Sequence, residues 1–142
     1  MLTAVGLGPG DAELLTLKAV RLLQEADTVF VPGGIAYDLV KPYCENIVTL
    51  DFPMTRDEAE ISRCMEENAE KILPAAKNGS AVFGLIGDPN YYSTFSRLAE
   101  AVRRLDSSVV VETIPGISSI TAVASHAKIP VNGAFLVTDG PT

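Results

Sequence analysis

The sequence predicts an α/β domain with a mostly parallel sheet flanked by helices, and three observations predict it. Short β-branched runs alternate with segments of helical periodicity along the whole chain. Several of those runs are apolar without alternation, as a parallel sheet covered on both faces requires. No internal repeat, low-complexity tract or Ser/Gly linker divides the 142 residues, a length that suits one domain with a real core and is too short for two full ones.

The elements follow in order. A strand is expected over 2–7 (LTAVGL), then a helix from near Thr16 to near Ala26, with Asp11 or Thr16 as a cap. Strands follow over 28–31 (TVFV) and 47–50 (IVTL). Thr55 with Glu58 reads as a capping box behind Pro53. The helix it opens repeats Ile61, Met65, Ala69, Ile72 and Ala76 at helical spacing until Asn78-Gly79 stops it. A strand over 81–86 (AVFGLI) leads to a helix carrying Phe95, Leu98, Val102 and Leu105, for which Ser93 and Thr94 are N-cap candidates. The last strand is expected over 109–113 (VVVET), and the last helix from Ile117 to about Ala127.

Composition narrows the function classes. Nearly half of the residues are apolar and 20% are charged, which excludes a disordered chain. Lys and Arg number 11 against 18 Asp and Glu, a net charge of −7. That balance argues against a nucleic-acid surface and against anionic membranes, both of which need clustered positive charge. Cys44 and Cys64 stand far apart without a neighbouring His, as idle thiols rather than a metal pair or a disulfide, and a reducing cytoplasm fits them. The opening MLTAVGL lacks the basic start and long apolar core of a signal peptide, and no apolar run reaches the length of a membrane span.

In open parallel sheets ligands sit beyond the carboxyl ends of the strands, so the loops there hold the chemistry. The first, GLGPGD (6–11), resembles a dinucleotide fingerprint but fails it. Asp11 stands where the third glycine belongs, and Pro9 removes an N–H from the phosphate cradle. Asp11 and Glu13 would also repel a pyrophosphate, and no Gly-Lys-Ser/Thr follows for a P-loop. The alternative reading is a tight turn with a capping acid. The second loop ends its strand in Gly87-Asp88-Pro89, then presents Tyr91 and Tyr92 as flat faces for an aromatic ring or a cation. Against that stand an Asx turn at Asp88 and core packing of one tyrosine. The third, TIPGISSITAVASHA (113–127), places Ser118 and Ser119 at the start of a small-residue helix, where close packing on the sheet is the competing explanation. His126, near its end, has no carboxylate or cysteine partner in view and reads as structural. Together the loops offer one carboxylate, aromatic faces, backbone donors and little positive charge. An adenosyl ligand bearing a sulfonium suits them where a dinucleotide does not.

VGLGPGDAELLTLKA, FPMTRD, GDPNYYSTF and ETIPGISS resemble, in order and spacing, the tetrapyrrole methylases that use S-adenosylmethionine in cobalamin and sirohaem synthesis. FPMTRD with GDP-x-x-YSTF is most similar to the C20-methyltransferases acting on precorrin-2 or cobalt-factor II. The resemblance implies an α/β domain that holds S-adenosylmethionine at Pro9, Ile86, Gly87, Asp88, Tyr91, Tyr92, Ser118 and Ser119. It names no catalytic base and no metal. Arg56, in the PMTRD block, is the expected contact for a carboxylate-bearing tetrapyrrole, ahead of Lys18, Arg97 and the Arg103-Arg104 pair. Members of this family are longer and commonly homodimeric, with a second α/β domain, so residues 1–142 are expected to be the N-terminal half of a two-domain enzyme. VPGGIAYDLVKPYCEN (31–46) follows the family less closely. The rival readings are a superfamily methylase with another acceptor and, for this chain alone, a non-catalytic cofactor-binding or dimerisation domain.

Overall fold

The computed structural model describes residues 1–140, and they form an α/β fold around one five-stranded parallel sheet. The strands are β1 (Leu2–Gly6), β2 (Thr28–Val31), β3 (Ile47–Thr49), β4 (Ala81–Leu85) and β5 (Val111–Ile114), in the spatial order β3-β2-β4-β1-β5. Helices α1 (Leu17–Glu25), α2 (Gly34–Val40), α3 (Glu58–Asn78), α4 (Phe95–Leu105) and α5 (Ser119–Ala127) alternate with them. Every strand pair is parallel, with Leu2 facing Ala81 on one side and Val111 on the other.

The two central strands are buried at every position, which explains their unbroken apolar sequence. Alternate side chains then feed two cores. Leu2, Ala4, Phe30 and Phe83 meet Ile72 of α3 and Leu98 and Val102 of α4. Val5, Val29, Val31 and Val82 meet Leu23 of α1 and Leu39 and Val40 of α2 on the opposite face. Phe83 also stacks on Phe95, the first residue of α4, with ring centroids 5.9 Å apart. That contact anchors the start of α4 directly beyond the end of β4.

Several boundaries differ from the sequence expectation, each for a local reason. Helix α3 is capped by Asp57, which accepts from the Ala59 and Glu60 amides. Thr55 instead accepts from the Asp57 amide, so the expected Thr55–Glu58 capping box does not form. Gly79 follows α3, but its φ of 176° is extended; it is small there because a Cβ would strike the Asp27 carboxylate. Strand β5 pairs two residues later than expected, and Ile86 and Leu50 lie outside their strands. Helix α2, unforeseen in the sequence, starts after Gly33 at φ 105° and buries Ala36, Leu39 and Val40. Thr16 caps α1 through the Ala19 amide, and Asp11 caps a 3-10 turn over Ala12–Leu14. Among the described residues no helix is long and apolar enough to cross a membrane.

One surface tie titrates. Asp106, at the end of α4, accepts from the Ser108 amide and hydroxyl and pairs with Lys77 of α3 at 3.1 Å. The two Ser108 hydrogen bonds, then Lys77, lower its carboxyl to about 2. A depressed carboxyl stabilises the fold above its unfolded value of about 4 and loses that contribution as the pH falls towards 2. Asp106→Asn should therefore melt below the wild type at pH 6, and the difference should close between pH 4 and 2. A difference independent of pH would show that the charge is not what Asp106 contributes.

Candidate functional site

The carboxyl ends of β4, β1 and β5 lie side by side, and three glycines let their loops close on one another. A Cβ on Gly6 would stand 2.6 Å from both the Gly116 nitrogen and the Gly87 oxygen. A Cβ on Gly116 would collide with the Gly87 oxygen and the Gly6 backbone. Beyond this junction Gly8 and Gly87 form an antiparallel bridge, with Gly87 N–H donating to Gly8 O at 2.7 Å. Both have φ near +80° (79° and 78°), a conformation that favours glycine. Gly6 and Gly8 of GLGPGD thus serve backbone contact within the protein.

The loop after β4 is held from within and from the side. Asp88, 8% exposed, accepts from the Asn90 amide at 2.8 Å and from the Gly116 amide at 3.1 Å. It is thus an Asx turn and a link between two loops at once. The Asn90 side chain donates to Thr113 Oγ1 of β5 at 3.2 Å. Ser93 donates to Pro89 O at 2.6 Å and accepts from the Phe95 amide, while Thr94 occupies the N-cap position without a side-chain bond. Tyr92 sits at φ 52°, a strained setting for a bulky residue. Neither tyrosine packs into the core: Tyr91 and Tyr92 are 58% and 64% exposed. Across the gap, Ser118 caps α5 by accepting from the Ile120 amide at 3.2 Å.

All eight residues expected to hold a cofactor line one cavity of about 250 Å³: Pro9, Ile86, Gly87, Asp88, Tyr91, Tyr92, Ser118 and Ser119. Ile120 completes the lining and was not foreseen. A second, more apolar cavity of about 470 Å³ shares Asp88, Tyr91, Ser118 and Ile120 with it and extends to Gly116, Thr121, Phe135 and Val137. Together the two reach the size usual for small-ligand sites, roughly 300–1,000 Å³. Among the described residues Asp88 is the only charged one that lines them. A groove of about 550 Å³ on the α4 side touches the first cavity only at Tyr92 and carries Arg103 and Glu100.

Other nominated residues lie elsewhere. Arg56 borders a separate hollow of about 290 Å³ with Pro53, Met54 and Thr55. Arg97 is engaged with Glu58 at 2.8 Å, linking α4 to α3. His126 is exposed in the last turn of α5. Burial pushes both thiols upward in pKa; Cys44 donates to Val40 O, and Cys64 to Asp51 O.

The family model for Tetrapyrrole (Corrin/Porphyrin) Methylases matches residues 1–139. The chain belongs to this family. Its similarity to a Methanocaldococcus jannaschii protein named "Probable cobalt-precorrin-2 C(20)-methyltransferase" is 40% identity, over 89% of this chain and 57% of that protein. The uroporphyrinogen-III C-methyltransferase of Cyanidium caldarium is 37% identical over 89% of this chain and 49% of its own length. Among solved structures, the methyltransferase CobJ superposes with a TM-score of 0.71 at 25% identity, over 95% of this chain and 54% of that one. This tetrapyrrole methylase-family chain therefore spans about half the length of the relatives it matches.

The glycine junction is testable without a ligand. Gly6→Ala should cost at least about 3 kcal/mol, the upper end of ordinary overpacking, because the new methyl meets backbone that has nowhere to go. Gly133→Ala, whose Cβ would meet nothing within 4 Å, should change stability by less than about 0.5 kcal/mol. Equal denaturation midpoints for the two variants would show that the junction is looser than described.

Proposed function

We propose that this chain forms the cofactor-binding half of an S-adenosylmethionine-dependent C-methyltransferase, and that its acceptor is precorrin-2 or cobalt-factor II, methylated at C20. The observation that carries the reading is the single cavity lined by Pro9, Gly87, Asp88, Tyr91, Tyr92 and the two serines at the head of α5. Its chemistry fits an adenosyl sulfonium. It has no Lys or Arg for a phosphate, and Pro9 withholds one N–H. Ile117, Ile120, Phe135 and Val137 supply an apolar wall for a heterocycle, and exposed tyrosine faces stand beside it. The C20 assignment draws on the name of the Methanocaldococcus relative.

S-adenosylmethionine brings a methyl group already activated by its positive sulfur. The chain's own contribution is then position. Gly87 lets a ligand approach the backbone at the end of β4, and Ser118 and Ser119 bring polar groups from the head of α5. Holding reacting atoms in line lowers a barrier by several kcal/mol without any acid or base. No lining residue has the neighbours of a general base. Arg56, outside the cavity on the loop between β3 and α3, is the proposed contact for acceptor carboxylates. In a chain of net charge −7 such a contact has to be local.

A second reading keeps the fold and cofactor and changes the acceptor to uroporphyrinogen III, the substrate named for the Cyanidium relative. The chain alone is also proposed to act as a cofactor-binding or dimerisation domain of a longer, two-domain enzyme.

Calorimetric titration of S-adenosylhomocysteine should give saturable heat that Ile120→Arg, which puts a bulky cation between the two cavities, abolishes. A folded wild type that gives no heat speaks against the cavity as a cofactor site. In a two-domain enzyme containing this half, methylation of cobalt-factor II rather than uroporphyrinogen III separates the acceptors. There Arg56→Ala should raise the acceptor KM by roughly tenfold, the loss of one charged hydrogen bond, with kcat little changed. An unchanged KM removes Arg56 from the acceptor site.

A further inference from the structure

We infer that Asp88 is a positioning residue: its carboxylate clamps the loop after β4 to the loop after β5 and so fixes the cavity, rather than acting as counter-ion to a bound sulfonium. The inference deepens the cofactor reading above and rests on it for its binding arm. Among the described residues Asp88 is the only buried charged side chain, and it has no ion-pair partner. A carboxylate in that setting is tolerated only if its oxygens accept hydrogen bonds. Asp88 meets the requirement with two backbone amides from two loops, Oδ1 with Asn90 and Oδ2 with Gly116.

The placement makes the clamp consequential. Gly116 is the residue wedged against Gly87 and Gly6, so the Asp88 bond holds the junction closed from the side. Two residues further on, Ser118 begins the wall of the cavity opposite Tyr91. Asn90 adds a parallel tie to Thr113 at 3.2 Å, so the same loop is fastened once to β5 and once to the turn beyond it. Turning Asp88 towards a ligand would strip the Gly116 amide of its acceptor and loosen the wall that the ligand needs. Charge points the same way. Methyl transfer neutralises the sulfonium, so an anion paired directly with the sulfur would favour the ground state over the transition state. A carboxylate occupied by backbone amides avoids that bias.

The test uses ¹⁵N-labelled 142-residue chain as wild type, Asp88→Asn and Asp88→Ala. Amide hydrogen exchange is measured without ligand, and calorimetry compares S-adenosylmethionine with S-adenosylhomocysteine, which differ in charge at sulfur. Exchange at Gly116 and through Ser118–Ile120 should quicken by roughly tenfold or more in Asp88→Ala and by less in Asp88→Asn, which keeps one acceptor oxygen. Both ligands should weaken by the same factor, within about twofold of each other, in each variant. Unchanged exchange overturns the clamp. So does an Asn variant that loses the sulfonium ligand far more than the neutral thioether, the signature of a direct counter-ion. Should Asp88→Ala not fold, the Asn variant carries both comparisons. A wild type that binds neither ligand refutes the cofactor reading instead, and the clamp is then decided by the exchange data, which need no ligand.

Discussion

The structure depends on the contact of three backbones at Gly6, Gly87 and Gly116. The strand order β3-β2-β4-β1-β5 puts β1 between β4 and β5, so three chain ends leave the sheet at neighbouring positions. Side chains on Gly6 or Gly116 would force the loops apart by the width of a methyl group or more, while Gly87 supplies the carbonyl they meet and needs glycine for its φ of 78°. Without them, each loop leaves the sheet in van der Waals contact with the next, and the Gly8–Gly87 bridge extends the pairing past the last strand residues. The sheet is thus prolonged by backbone alone into the place where a parallel sheet receives a ligand. Rigidity at that point is what a site needs, because misplacement of about 1 Å costs orders of magnitude in rate.

Polar bonds convert this junction into a shaped cavity. Asp88, Asn90 and Ser93 each satisfy or restrain a backbone group of one loop, and two of them reach β5 or the turn beyond it. The Phe83–Phe95 stack then fixes where α4 begins, so the loop between Leu85 and Phe95 is held at both ends. Within that frame Tyr92 is kept in a left-handed conformation at a cost of about 1–2 kcal/mol. The surrounding bonds offset that strain, and the two exposed tyrosines border the cavity where core packing would otherwise have drawn one inward.

Legibility in the sequence followed burial and turn chemistry. Strands β1 and β4 are buried on both faces and read as unbroken apolar runs, so they were placed nearly to the residue. Strand β5 is an edge with Glu112 and Thr113 exposed, and its run VVVET misled by two positions because Val109 belongs to the core but not to the ladder. Helix α2 is hidden by Gly33-Gly34 at its start, the poorest helix formers after proline, and its one buried stripe is only Ala36, Leu39 and Val40. Thr55 and Asp57 are both cap formers two residues apart, and only geometry separates them. Glycine, proline and an acid at a strand end pointed to the loops, and the family resemblance supplied the full set of expected cavity residues, since Gly87 and Asp88 also have structural uses as a bridge and an Asx turn. Ile120, Phe135 and Val137 were not legible, since an apolar residue lining a site has the same sequence signature as one filling a core. The junction was invisible too: sequence shows that Gly6, Gly87 and Gly116 are small, not that they touch.

The cavity's two walls differ in how they are supported, and this bears on how the site works. The wall at the ends of β1 and β4 stands on strands that belong to the core. The wall built on α5 does not: none of the helix residues is buried, and Phe135 and Leu136 beyond it are 63% and 87% exposed. The head of α5 is tied to the sheet through the turn before it, where Gly116 packs against Gly6 and Gly87 and donates to Asp88. Restraint of a site before binding is worth affinity, because the ordering has not to be supplied by the ligand. In this chain that restraint is concentrated in a few bonds at the head of α5, and the acidic residue at the end of β4 is the one side chain placed to transmit the rigidity of the sheet to the wall that lacks its own.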